Sequence, residues 1–284
     1  MKLTVSHRIV TRFDPPRRRL LQSLRLYPTA CASQKVLTWN VAVSEGVMGA
    51  DFTDGVGDRT VTVSIPGETG EVVLTITGEV QTFDTLGVLR DLKEKISPVA
   101  YLTSTRLIRA DGAVAQLARE ALAGIDKTKA LDRAHALANA VTGALTRTRE
   151  HPAEMLTAAE VLAEGKGDQT AFAHVLIAAA HAAEMPARFV YGYFHKNAAE
   201  LDVETRDSGA LVTAPWSAHA WAEIWIEGMG WVGFDAVEEC CPDEAYIRLC
   251  SGRDGLDAAP VRGVAMGMGA ETCQVALDVT GAEQ

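Results

Sequence analysis

The sequence predicts an α+β fold in two parts: an antiparallel β-sandwich over residues 1–105, then a unit over residues 106–284 in which helices pack on an antiparallel sheet. Three observations predict it. Apolar and polar residues alternate in short runs up to Thr82, Ala- and Leu-rich segments with three- and four-residue spacing follow, and strand-like runs return from Ala187 onward. The length of 284 residues is generous for one domain and comfortable for two.

In the first part, Ser23–Leu26, Val36–Val43, Thr60–Ile65 and Glu71–Thr77 read as strands. Turn formers separate them: Asp14-Pro15-Pro16, Ser44-Glu45-Gly46, Asp54-Gly55 with Gly57-Asp58, and Pro66-Gly67 followed by Gly70. The texture changes through Ser97-Pro98 and Asp111-Gly112. Ala113–Ala123 and Ala130–Leu145 are rich in good helix formers and carry a helical apolar spacing. A third helix runs from Asp168 or Gln169 to Ala183, entered through Gly165-Lys166-Gly167 and ended before Pro186. Strand-like runs then occupy Ala187–Tyr193, His219–Glu227, Gly230–Asp235 and Gln274–Val279, with no internal repeat or heptad pattern.

Composition narrows the function classes. Hydrophobic residues make up 48% and charged residues 23%, and mean hydropathy is +0.05, values that support a folded core rather than disorder. A net charge of -10 disfavours a general nucleic-acid binder, because the phosphate backbone rewards clustered Lys and Arg. The basic run Arg17-Arg18-Arg19 reads as a solvated face. The first eight residues lack the apolar core of a secretory signal, and no apolar stretch reaches the ~20 residues that span a bilayer. A cytoplasmic protein without membrane contact is therefore expected. Cys31, Cys240, Cys241, Cys250 and Cys273 show no paired framework, which fits a reducing compartment.

The chemistry rests on two strands. Ser217-Ala218-His219-Ala220-Trp221-Ala222-Glu223 opens one, Gly228-Met229-Gly230 turns, and Trp231-Val232-Gly233-Phe234-Asp235 forms the next, so a hairpin sets His219 beside Asp235. Taken singly, His219 reads as a half-buried strand histidine and Asp235 as a strand-terminal turn residue. A nucleophilic acyl-transfer site needs a nucleophile, a base within reach and a third group that orients the base. Here the last two are in place.

Upstream, Gly165-Lys166-Gly167-Asp168-Gln169-Thr170-Ala171-Phe172-Ala173-His174 is followed by Met185-Pro186-Ala187-Arg188-Phe189-Val190-Tyr191-Gly192-Tyr193. Together with the hairpin, these segments resemble the core of the transglutaminase-like, cysteine-protease-like family. Residues Ser6–Val43, Asp54–Arg59 and Gly78-Glu79-Val80-Gln81-Thr82 are similar to the β-rich region that precedes this core in bacterial members. The tail also fits, from Cys241-Pro242-Asp243-Glu244 through Gly252-Arg253-Asp254 to Val261-Arg262-Gly263. The resemblance implies a papain-like, transglutaminase-like core whose base falls on His219 and whose orienting acid falls on Asp235.

In the same register the family's nucleophilic cysteine falls on Gln169. A glutamine amide has no accessible pKa and forms no thioester, so thiol chemistry at this position is excluded. Thr170 and Ala171 also depart from the polar or acidic residues expected there. The expected function is a peptide- or protein-binding pseudoenzyme. The alternatives are an active peptidase, amidase or acyltransferase with another nucleophile or a metal, and a structural subunit of a peptide-tagging or proteolytic assembly. Asp168, Thr170 and Trp216 are the candidate ligand-contacting residues. The Thr170 hydroxyl is expected to point away from His219, about 100° around the helix from Gln169. Ser217 reads as a turn cap, Cys240 and Cys241 as structural, and Arg188 as one half of an ion pair. A zinc site from His174, His181, His195 and His219 has no supporting spacing. No cofactor is implied. The resemblance offers ATP-grasp-like or proteasome-like proteins as partners.

Overall fold

The computed structural model describes residues 1–148, 154–196 and 219–282. Its first sheet hangs on two very long strands, β1 (Lys2–Leu24) and β4 (Arg59–Thr82), with β2 (Gln34–Val43) and β3 (Val47–Thr53) between them in sequence. β1 and β4 pair antiparallel from Lys2 with Gln81 to Leu24 with Val61, and the register slips between Arg12 and Arg19. Pro15, Pro16 and Pro66 lie at the slip. Having no N–H, they cannot sustain the ladder there, and Gly67 takes a φ of 98° that other residues resist.

Both strands fold over at this point. Ile9, Val72, Leu74 and Ile76 of one half share a core with Leu20, Leu24, Val61, Val63 and Ile65 of the other. Asp14-Pro15-Pro16 and Pro66-Gly67 are therefore bends inside long strands, not turns between short ones. The sandwich is one sheet doubled on itself. β2 pairs with the later half of β4, from Leu74 to Thr82, and β3 with its earlier half, from Arg59 to Ser64.

The second unit holds helices α1 (Gly112–Ala121), α2 (Ala130–Ala144), α3 (Ala158–Glu164) and α4 (Gln169–Ala182). A short parallel pair, β5 (Thr146–Arg147) with β6 (Lys166–Gly167), leads into α4. Every side chain from Phe172 to Ala180 is buried, which makes α4 a central helix rather than an amphipathic one. It packs on β7 (Ala187–Phe194) and β8 (His219–Ile226), with α1, α2 and α3 around it. With β9 (Gly230–Phe234) and β10 (Tyr246–Gly252) these strands form an antiparallel sheet in the order β10-β7-β8-β9. The β9 edge is covered by the connection between the units: Leu89 N–H donates to Trp231 O and Gly233 N–H to Gly87 O, both at 2.9 Å. No helix among the described residues is long and apolar enough to cross a membrane.

The chain then returns to its first sheet. β11 (Val261–Met266) pairs with Arg19–Leu24 and β12 (Ala270–Ala282) with Lys2–Asp14 of β1. Residues 261–282, assigned from sequence to the second unit, thus belong to the first sheet. Alternation marks a strand without naming its neighbour, and that is why the placement was hidden.

A buried ion network joins the two units. Glu223 of β8 accepts from Arg188 Nε at 2.6 Å and Arg248 Nε at 2.8 Å. Arg188 also donates to Glu94 in the connection at 2.9 Å, and Arg248 reaches Asp58 of the β3–β4 turn at 3.2 Å. Burial pushes the Glu223 carboxyl up, but Arg248 and then Arg188 outweigh it and hold it down at about 2.

A second junction is neutral. His7 of β1 is 3% exposed and lies 2.9 Å through Nδ1 from the Tyr193 hydroxyl, while its Nε2 has no partner. Burial lowers its pKa from 6.5 to about 4. The unfolded chain binds this proton below about 6.5 whereas the folded chain refuses it until about 4, so stability falls as pH drops through that window, by about 3 kcal/mol in all. Urea unfolding at a series of pH values from 7 to 4 should show this loss. In His7→Gln the slope should be shallower by close to one proton, and an unchanged slope would assign the acid sensitivity elsewhere.

Candidate active site

The topology gathers three residues at one end of α4. Gln169 is its first helical residue, with Asp168 as N-cap accepting from the Ala171 N–H at 2.9 Å. β7 runs back along the helix and pairs Gly192 with His219, the first residue of β8. A turn through Gly228 and Gly230, both at positive φ, then sends β9 back to Phe234 and Asp235. Gly192 has to be small: a Cβ there would collide with the Trp221 ring and the Ile247 carbonyl.

His219 Nε2 meets Asp235 Oδ2 at 2.5 Å, with the residues 9% and 2% exposed. An ionised carboxylate only accepts, so Nε2–H donates and Nδ1 is left as the other ring nitrogen. The remaining capacity of Asp235 is filled locally. Oδ1 accepts the N–H groups of Val237 and Glu238 at 2.9 and 3.1 Å, and Oδ2 accepts the Tyr246 hydroxyl at 2.9 Å. Burial pushes the Asp235 carboxyl up, yet His219 and these hydrogen bonds outweigh it and hold it below the usual carboxylate range. Thr142 of α2 braces the turn by donating to Ala236 O at 2.7 Å.

Aromatic rings fix the imidazole. Phe194 packs 5.0 Å from the His219 ring and stacks on Tyr246 at 4.5 Å, and Trp221 lies 6.3 Å from His219. Phe194 and Tyr246 also line a cavity of about 460 Å³, together with Lys196, Glu238 and Cys240.

The other sequence candidates are placed as follows. Gln169 is half-buried and is hydrogen-bonded to neither His219 nor Asp235 among the described residues. The Thr170 hydroxyl is engaged with the Tyr191 hydroxyl. Trp216 and Ser217 lie outside the described residues. Cys240 Sγ sits 3.3 Å from the Tyr246 hydroxyl, on the carboxylate side of the pair, and burial pushes its thiol up to about 11. Burial likewise raises Cys241, and takes Cys250 to about 12, which disfavours a thiolate at neutral pH. The four histidines considered for zinc have separate partners: His174 with Gly255 N–H, His181 with Ala187 O, His195 with Val279 O and His219 with Asp235. Among the described residues no group of three His, Cys, Asp or Glu side chains could hold a metal ion.

Sequence reasoning missed Tyr246 and Phe194. β10, which carries Tyr246, alternates the apolar Ile247 and Leu249 with Arg248, and a buried arginine makes a covered strand look half-solvated.

The profile of the transglutaminase-like superfamily matches residues 115–236, which hold Gln169, His219 and Asp235, and that of the bacterial transglutaminase-like N-terminal region matches residues 3–81. The chain belongs to the transglutaminase-like superfamily. As such it is similar over 100% of its length, and over 91% of the other chain, to the solved structure of a candidate cysteine protease from Cytophaga hutchinsonii, with a TM-score of 0.74 and 19% identity. The two share a fold. The periplasmic domain of TgpA from Pseudomonas aeruginosa is a more distant likeness, with a TM-score of 0.40 and 16% identity over 81% of this chain and 87% of that one. An uncharacterized protein of Mycobacterium leprae (strain TN) is 31% identical over 109 residues, which are 38% of this transglutaminase-like chain and 36% of the relative. The match thus spans about a third of that relative's length.

Proposed function

We propose that this transglutaminase-like chain binds a peptide or protein segment without performing thiol acyl transfer. One observation carries the reading: Gln169 occupies the first position of α4, where a helix N-terminus would stabilise a thiolate, at the same end as the His219–Asp235 pair. The amide has no proton to lose at neutral pH and makes no thioester. The pair then serves as a hydrogen-bonded frame. It holds Asp235, Tyr246 and Phe194 in one arrangement beside the cavity of about 460 Å³, a size that suits a few ligand side chains. A peptide is the ligand class in keeping with the neighbour described as a cysteine protease.

The purified protein is expected to release no product from peptide, amide or amine-transfer substrates. Alkylating its thiols should leave the affinity for a bound peptide unchanged. Turnover that His219→Ala abolishes would sink the reading, since it would require a working nucleophile.

A further inference from the structure

The cavity lined by Phe194 and Tyr246 has a charge of its own. Glu238, Asp243 and Glu244 line it, against the ammonium of Lys196 and the imidazole of His195. The three carboxylates are not equivalent. Glu238, whose N–H donates to Asp235 Oδ1, has both oxygens taken, one by Lys196 Nζ at 2.7 Å and the other by Arg147 Nη1 at 2.9 Å. Asp243 and Glu244 are in no ion pair among the described residues, and Asp243 Oδ1 accepts the Ala245 N–H at the turn into β10. The aromatic wall adds a second feature. Phe194 stacks on Tyr246 at 4.5 Å, and Lys196 Nζ lies over the Phe194 ring at 5.7 Å. The protein thus seats one of its own cations between a ring face and a carboxylate, beside a space of about 460 Å³.

We infer that this cavity takes a cationic side chain of the bound segment, arginine before lysine. The inference rests on the peptide reading above for what carries the cation. Asp243 and Glu244 supply charge that no described cation pairs with, and the net charge of -10 draws cations from a distance. An aliphatic side chain would strip water from those carboxylates without replacing it, and an acidic one would be repelled. A guanidinium is favoured over an ammonium because it is planar, stacks on rings and is more weakly hydrated. Lys196 then acts as a resident competitor, since it holds the Phe194 face that the incoming cation would use.

The test uses the full chain and fluorescein-labelled alanine pentapeptides with arginine, lysine, norleucine or glutamate at the centre, read by fluorescence anisotropy. The arginine peptide should bind about tenfold tighter than the norleucine peptide, with lysine between them and glutamate weakest. Asp243→Asn combined with Glu244→Gln should bring the arginine peptide to within about twofold of norleucine. Both amides keep the side-chain shape, asparagine keeps the acceptor for Ala245, and near-UV circular dichroism will verify that the variants are folded. Lys196→Met should tighten the arginine peptide by about threefold or more, which removal of a lysine that merely braced Glu238 would not do. Arginine and norleucine peptides that bind alike, an arginine preference that survives the double variant, or weaker arginine binding in Lys196→Met would each overturn the inference and leave peptide binding standing. Agmatine bound without any peptide would keep the cation preference and overturn the peptide reading. Binding of none of these probes would overturn both.

Discussion

Replacing Gln169 by cysteine is expected to create a thiol that alkylates at pH 7 on the order of 100-fold faster than Cys240. Two effects set that figure. A thiol at a helix N-terminus beside an imidazole has a pKa near or below neutrality, so most of it is thiolate at pH 7. Cys240 is an exposed residue, but desolvation of its thiol and then the Asp235 and Asp243 carboxylates push it up to about 11, which leaves a thiolate fraction of roughly 10⁻⁴ at the same pH. The gain in thiolate is partly offset because a less basic thiolate is intrinsically a weaker nucleophile, by roughly half a decade per pKa unit. Mass-spectrometric labelling with iodoacetamide across pH 5 to 9 would give both pKa values. Adding His219→Ala to Gln169→Cys should raise the new thiol's pKa, because the imidazole would no longer stabilise the thiolate. A residue-169 thiol no faster than Cys240 would mean that His219 does not address the helix start.

Glu223→Gln is expected to cost about 3–5 kcal/mol in urea unfolding at pH 7, a large part of the 5–15 kcal/mol that holds an ordinary domain together. The carboxylate is 3% exposed and is the shared partner of Arg188 and Arg248, themselves 0% and 3% exposed. Its loss leaves two buried cations with their charge uncompensated on that side. Arg188 gains little elsewhere, since its Nη2 already has no partner and its other contacts are Glu94 and the face of Trp231 at 4.1 Å. In the native protein the contribution of Glu223 is complete above the ordinary glutamate pKa and is lost as pH falls through about 2. Adding Arg188→Met to Glu223→Gln should recover part of the loss by removing one unpaired charge. A loss below about 1 kcal/mol would show that the network is solvated in a way its burial does not convey.

Much of the site was legible because it rests on local signals. Asp168 and Pro186 bracket α4, and the Gly228-Met229-Gly230 turn sets the register that puts His219 on Asp235. Arg188, read as an ion-pair residue, has Glu223 and Glu94 as partners. What stayed hidden is non-local. Tyr246 is one aromatic in a strand until β10 lies beside β7, and only then does its hydroxyl reach Asp235. Pro66 and Gly67 have the same composition whether they end a strand or bend one, and the answer depends on the core that closes between the two halves. α3, β3, β10 and β11 went unread because they are short or carry polar residues on a covered face.

The return of β12 to β1 also dictates an order of assembly. Lys2 lies opposite Ala282 and Asp14 opposite Ala270, contacts that bridge nearly the whole chain and so close the largest loop available to it. During synthesis β1 can find β4 early, but its other side stays open until the ribosome has delivered the final strands. For all that time the nascent protein carries an unsatisfied ladder of amides and carbonyls, the feature that recruits stray strands. The second unit is encoded inside this interval, between the strands that open the first sheet and those that complete it.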